Sequence, residues 1–114
     1  MTLQEIIDSL DLTVLTDIMD FKDVSPSSGY TSDLLSCVMA GAKHKGLWIT
    51  LQAHVNIVAV AALLDLSAVI ITEGAAPDQA TIDKANDQSV TLLSTSLPTF
   101  AVVGKLWEMG LRSD

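Results

Sequence analysis

Hydrophobic positions along this chain begin at helical spacing. Leu3, Ile6, Ile7 and Leu10 follow Thr2 and Glu5, a pair with the spacing of a capping box, so the pattern predicts a short opening helix. Leu12-Thr13-Val14-Leu15 suits an extended segment, and residues 18–24 form an edge strand at best because they carry three charges. Ser25-Pro26-Ser27-Ser28-Gly29 is turn-forming, and Tyr30-Thr31 reads as a brief strand. Thr31 or Ser32 then caps a helix with Asp33 in its first turn and Leu34, Leu35, Val38, Met39 and Ala42 facing inward.

From Gly46 onward the pattern changes. Three short apolar runs, 47–51, 68–72 and 90–93, are each followed by a helical segment, at 55–64, 78–86 and 99–109. Pro77 and Pro98 sit where helix starts tolerate proline. Apolarity without alternation marks strands covered on both faces, and successive strand-helix units imply right-handed crossovers and parallel pairing. The expected fold is therefore α/β: three layers, a mostly parallel sheet with helices on both faces, in one small domain.

Composition narrows the class. A length of 114 residues admits one core, so 1–114 reads as a single domain with an acidic N-terminal segment at 1–28. Hydrophobic residues at 49% and a mean hydropathy of +0.44 exclude a disordered tail. The longest strictly apolar run, 57–64, ends at Asp65 and is too short to cross a bilayer. The N-terminus lacks the marks of a secretory signal, and Cys37 has no second cysteine to pair with, so a cytoplasmic location is expected. A formal charge of −8 excludes nucleic acid and anionic membrane surfaces as partners, because both would be repelled. The charge is uneven: residues 1–33 hold seven acids and one base, while 34–114 hold seven acids and five bases.

Candidate chemistry follows from the rule that ligands of open parallel sheets bind outside the carboxyl ends of strands. That rule selects Thr31, Ser32 and Asp33, then Thr50, Gln52, His54 and Asn56, then Thr72, Glu73 and Gly74, and finally Ser94, Thr95 and Ser96. The competing reading is that these groups cap helices and satisfy loop backbone. His54 can pair with Asp33 or Glu73 across such a rim, but no second histidine stands at ligand spacing, since His44 lies in a solvated Lys43-His44-Lys45 loop. No metal site and no cofactor are expected. Cys37 reads as a small packed residue, and Gly74 as a glycine supplying an unusual backbone angle. A phosphate-binding lysine loop and a GxSxG elbow are both absent.

The segments Gly29-Tyr30-Thr31-Ser32-Asp33-Leu34-Leu35-Ser36, Trp48 to Ile57, and Val69-Ile70-Ile71-Thr72-Glu73-Gly74 with Pro77-Asp78 and Leu93-Ser94-Thr95 resemble the DRTGG domain. That family is similar to the N-terminal domain of HPr kinase/phosphorylase, and the resemblance covers residues 29–111. It implies a compact α/β module that accompanies other domains, such as those of phosphotransacetylases and CBS-containing pyrophosphatases, as a regulatory or oligomerising element. It transfers no catalytic residues. In the name-giving motif Thr72 and Gly74 match, whereas Ile70 and Ile71 fill the Asp and Arg positions and Glu73 interrupts the glycine pair. The chain reads as a stand-alone form without the kinase portion.

The helix at 55–64 is apolar on nearly every side, more than one sheet face absorbs, and Trp107 adds to the surplus. The leading expectation is a non-catalytic regulatory or oligomerisation module, a homodimer or partner-protein binder with interface candidates Val55, Val58, Ala62, Leu63 and Trp107. The alternative is a sensor of a small molecule, a nucleotide or phosphometabolite, held at the strand-end rim. An enzyme built on His54 with Asp33 or Glu73 ranks last, because no nucleophile accompanies them.

Overall fold

The computed structural model describes residues 1–114. The chain opens with α1 (Leu3–Leu10), β1 (Thr13–Val14) and a 3₁₀ turn (Phe21–Asp23). It then alternates regularly: β2 (Gly29–Thr31), α2 (Leu35–Gly41), β3 (Leu47–Thr50), α3 (Asn56–Leu63), β4 (Ala68–Ile71), α4 (Gln79–Asp87), β5 (Leu92–Ser94) and α5 (Thr99–Met109). The strands form one sheet in the order β1-β5-β4-β3-β2. β2 to β5 are parallel, with Tyr30 opposite Trp48, Trp48 opposite Val69, and Val69 opposite Leu92. β1 runs antiparallel on the β5 edge, Thr13 facing Ser94.

Each step from β2 to β5 moves the chain the same way across the sheet, so right-handed crossovers put α2, α3 and α4 on one face. The packing follows that constraint. Val38 of α2, Ile57, Val58 and Ala61 of α3, and Ala85 of α4 bury against Trp48, Val69, Ile71 and Leu92. The alternate strand residues Leu47, Ile49, Ile70 and Leu93 point to the opposite face, where α1 supplies Leu3, Ile6, Ile7 and Leu10 and α5 supplies Val102 and Leu106. Burying one such aliphatic side chain is worth about 1.5–3 kcal/mol, which explains how so short an opening helix holds its place. Its capping box forms as expected, Glu5 N donating to Thr2 Oγ1 at 3.2 Å.

Four local expectations are corrected. Residues 18–24 are not an edge strand: the segment winds into the 3₁₀ turn, because burying the Phe21 ring beneath α1 outweighs extended pairing for a charged stretch. Neither Thr31 nor Ser32 caps α2, whose N-cap is Leu34 with no side-chain bond, and Asp33 turns toward β3. Of the α2 residues expected inside, only Val38 is buried, while Leu34 and Met39 are exposed, since a seven-residue helix at the sheet edge meets the core with one narrow face. Cys37 is exposed for the same reason. Gly41 has a steric reason to lack a side chain: a Cβ there would come within 2.5 Å of the Tyr30 ring.

The interface candidates divide. Val58 is fully buried within one chain, at 0% exposure, because it lies on the α3 stripe that packs on the sheet, and it is withdrawn as an interface residue. Ala62 is half-buried, Val55 is exposed, and Leu63 and Trp107 are 70% and 51% exposed. Much of the apolar surplus of α3 is thus absorbed internally, and only its outer stripe is left over. Val58→Asp is expected to unfold the domain at a cost of about 3 kcal/mol or more through an uncompensated buried charge. Leu63→Asp is expected to melt within a few degrees of the parent, and thermal denaturation followed by circular dichroism checks both.

Candidate functional site

The carboxyl ends of the parallel strands carry the polar residues that the sequence singles out, in two halves of different character. At β2 and β3 the groups are consumed by one another. Asp33 Oδ1 accepts from Thr50 Oγ1 at 2.8 Å and from Leu51 N at 2.9 Å, and Gln52 Nε2 donates to the Asp33 carbonyl at 3.0 Å. Thr31 Oγ1 donates to the Ile49 carbonyl, the buried Trp48 donates its indole N–H to the Ser32 carbonyl, and Ser32 Oγ accepts from Leu34 N. Little is left there to hold a ligand.

His54 pairs with neither acid. Its Nδ1 accepts from Asn56 N at 3.2 Å at the start of α3, which leaves the proton of a neutral ring on Nε2. Its positive charge, when present, acts on Asp78 instead, which caps α4. The proton-transfer set of His54 with Asp33 or Glu73 is therefore not assembled: Asp33 bonds the end of β3, Glu73 bonds the start of α5, and His54 bonds the start of α3. His44 is solvent-facing beside Asp65 at 3.4 Å. No cluster of three or more His, Cys, Asp or Glu residues is placed to hold a metal ion.

At β4 and β5 the loops lead to opposite faces. The chain leaving β4 turns to α4 on one face of the sheet and the chain leaving β5 turns to α5 on the other, while hydrogen bonds join their first residues. Thr72 is fully buried just after β4, its hydroxyl 2.6 Å from that of Thr99. Glu73 Oε2 accepts from Thr99 N at 2.8 Å, supplying the carboxylate that the Pro98 N-cap of α5 lacks. Glu73 and Gly74 both adopt left-handed backbone, φ 62° and 72°, the unusual angle expected of Gly74 and carried at Glu73 by a residue that tolerates it less well. Gly74 N then bonds the Thr95 carbonyl and Glu73 N that of Leu97, stitching the two loops together.

Beside these loops a crevice of about 370 Å³ is lined by Thr13, Leu15, Gly74 to Pro77, Ile82 and Ser94 to Ser96. Thr95 Oγ1 accepts from Leu97 N, whereas Thr13, Ser94 and Ser96 keep hydroxyls free of any protein partner. Of the expected site residues the fold thus gathers Gly74, Ser94 and Thr95 here, and leaves the buried Thr72 as well as His54 and Asn56 out of the lining. Thr13 was not among the expected residues. The extended character of residues 12–15 was readable, but only the antiparallel pairing of β1 with β5 places Thr13 opposite Ser94.

Asp78 accepts from Thr81 N at 2.9 Å, and the Thr81 hydrogen bonds, aided by the His54 charge, hold its carboxyl below the usual 3.8. No basic side chain lines the cavity, and Glu73 and Asp78 flank the loop that forms its wall. A second cleft, about 260 Å³, lies between β2, β3 and α5 and is lined mainly by Tyr30, Ile49, Val103, Leu106, Trp107 and Leu111. There Arg112 stacks 4.2 Å from the Trp107 ring centre and donates to the Trp107 carbonyl at 2.6 Å, capping the end of α5.

Comparison with known proteins agrees with this architecture. The family model described as the DRTGG domain matches residues 36–109, and the chain belongs to that family. No curated protein matches it in sequence. Among solved structures, it is similar to the crystal structure of the CBS and DRTGG domains of the regulatory region of Clostridium perfringens pyrophosphatase, complexed with its activator diadenosine tetraphosphate. Identity is 20% and the TM-score 0.75, over 99% of this chain and 48% of the other, so the chain spans about half the length of that structure. No helix is long and apolar enough to cross a membrane.

Two outcomes follow for these loops. Thr72→Val removes the partner of the half-buried Thr99 hydroxyl and is expected to cost about 1 kcal/mol in urea denaturation. For Asp78 the folded pKa lies below the unfolded one, so its contribution is present above pH ~4 and fades as pH falls through the lower, folded value. Asp78→Asn, which caps without titrating, is expected to show a smaller loss of melting temperature between pH 5 and 2 than the parent.

Proposed function

We propose that this domain is a non-catalytic regulatory module that senses a small molecule in the β4–β5 crevice. The observation that carries the reading is the coincidence of three unpartnered hydroxyls, Thr13, Ser94 and Ser96, with the place where the outgoing loops part to opposite faces. A volume of about 370 Å³ falls within the range of small-molecule sites. Hydroxyls and the backbone of the Gly74 loop suit a neutral polar group such as a sugar or a base edge. A bare phosphate is disfavoured, because the nearby charges of Glu73 and Asp78 are negative and nothing basic lines the cavity. Of the two ligand classes expected from the sequence, a nucleotide bound through its nucleoside end fits better than a compact phosphometabolite. The nucleotide activator of the pyrophosphatase regulatory region supports this choice of class.

Thermal-shift and calorimetric titration with adenosine, adenine nucleotides and dinucleoside polyphosphates tests the reading. Binding is expected to raise the melting temperature, with stabilisation of about 2.7 kcal/mol at a hundredfold excess over Kd. Ser94→Val is expected to weaken binding about tenfold with the fold intact, as befits one lost hydrogen bond. A flat melting curve at millimolar concentration of every compound would remove the proposal.

A second reading, assembly with another protein surface, is favoured by a separate observation. Leu63 and Phe100, at 70% and 91% exposure, make no adequate contact within the chain.

A further inference from the structure

The α5 side of the sheet is filled unevenly at its β2 edge. Successive strand residues point to opposite faces, and the Tyr30 ring lies against Gly41 on the α2 side, so β2 meets α5 only through Gly29 and Thr31. Neither carries apolar bulk. The space beside Ile49 and α5 is therefore bounded by the C-terminal tail instead of being filled by the strand. Leu111 is buried there, Gly29 N donates to the Arg112 carbonyl at 2.8 Å, and a Cβ on residue 29 would stand 3.1 Å from Leu111 Cδ2. What is left is the cleft of about 260 Å³.

Its walls are Ile49, Val103, Leu106, Trp107 and Leu111, and the Thr31 hydroxyl beside them is spent on the Ile49 carbonyl at 2.9 Å. All the formal charge of the lining comes from Arg112, the only arginine in the chain. Its Nη1 donates to the carbonyls of Trp107 and Leu111 at 2.6 and 3.3 Å, and the indole stacked at 4.2 Å holds the guanidinium plane. Nε and Nη2 have no protein acceptor. No carboxylate is paired with this group, although acids outnumber bases fourteen to six and the chain has an ion pair at His44 and Asp65. The Ser113 hydroxyl, also in the lining, is unpartnered too.

We infer that this cleft binds a small monocarboxylic acid whose apolar body is about one ring in size. Nε and Nη2 form the edge of a guanidinium that meets a carboxylate with two parallel hydrogen bonds, and the stack on Trp107 fixes that edge before the ligand arrives. The apolar walls supply the remaining free energy by taking the ring out of water. Size and charge limit the occupant. A cavity of about 150 Å³ houses a benzene molecule, so 260 Å³ takes one ring with a short acidic arm and is too small for a nucleotide. One arginine neutralises one negative charge, and a second would face a chain of −8. The cleft shares no lining residue with the β4–β5 crevice and does not rest on the reading given to it.

Titration of the intact ¹⁵N-labelled chain with phenylacetate, phenylacetamide and inorganic phosphate, followed by NMR, tests this. Phenylacetate is expected to shift the Trp107 indole N–H and the Gly29 amide with a Kd of about 1 mM or below, an affinity that about ten non-hydrogen atoms sustain. The Trp48 indole, buried and bonded to the Ser32 carbonyl, is expected to stay in place. The neutral amide lacks the charge and phosphate lacks the ring, so each is expected to bind at least about tenfold more weakly. Arg112→Gln is expected to weaken phenylacetate by a similar factor. Val103→Phe, which fills the cleft while leaving Arg112 in place, is expected to abolish binding with unchanged circular dichroism, and it decides the matter should the Arg112→Gln tail come loose. An unmoved Trp107 signal at about 10 mM phenylacetate overturns the inference. So does amide or phosphate binding as tight as the acid, or an affinity that Val103→Phe leaves unchanged.

Discussion

A parallel strand is apolar on both sides and has no stable existence until both sides are covered. Here that requirement meets a strict handedness, because crossovers that advance in one direction can deliver their helices to only one face. The second face is left to the ends of the chain. α1 and α5 arrive there from opposite termini, and the tail closes the arrangement where Gly29 N donates to the Arg112 carbonyl at 2.8 Å. The order of the sheet, the identity of the helices on each side and the position of the crevice all descend from that one geometric constraint.

The loops change character where the constraint changes. As long as consecutive loops leave their strands toward the same face, their polar residues lie close enough to bond one another, as Asp33, Thr50 and Gln52 do. At β5 the outgoing loop turns to the other face; backbone bonds from Glu73 and Gly74 still tie it to the β4 loop, but the hydroxyls of Ser94 and Ser96 remain without protein partners. A family motif passes through this spot. Thr72 has become a buried structural hydroxyl paired with Thr99, and Glu73, in a left-handed conformation, serves as a cap for α5. The departures from the motif at Ile70 and Ile71 also make sense locally, since both side chains are fully buried, one in each core layer.

The same winding segregates charge. Acidic residues gather on the chain's opening third and on α4, and the helices between them are left neutral on the outside. A surface of that kind is costly to leave in water over a large area.

Much of this was legible from residue order alone. Thr2 and Glu5 with the spacing of Leu3, Ile6, Ile7 and Leu10 define α1; the apolar runs ending near Thr50 and Thr72 define β3 and β4; Pro77 and Pro98 mark the starts of α4 and α5. These are local features, governed by periodicities of 3.6 and 2 residues and by the φ of proline, and neighbours in sequence suffice to express them. The layered α/β class follows from their alternation. Tertiary structure alone decided the rest: that Val58 faces the sheet while Leu63 faces outward, that Phe21 buries in a turn rather than a strand, that His54 stands near Asp78 and not Asp33, and that Thr13 meets Ser94. Those facts depend on which distant segments come into contact. That is determined by burying two faces of one sheet at once, a condition that no window along the chain contains.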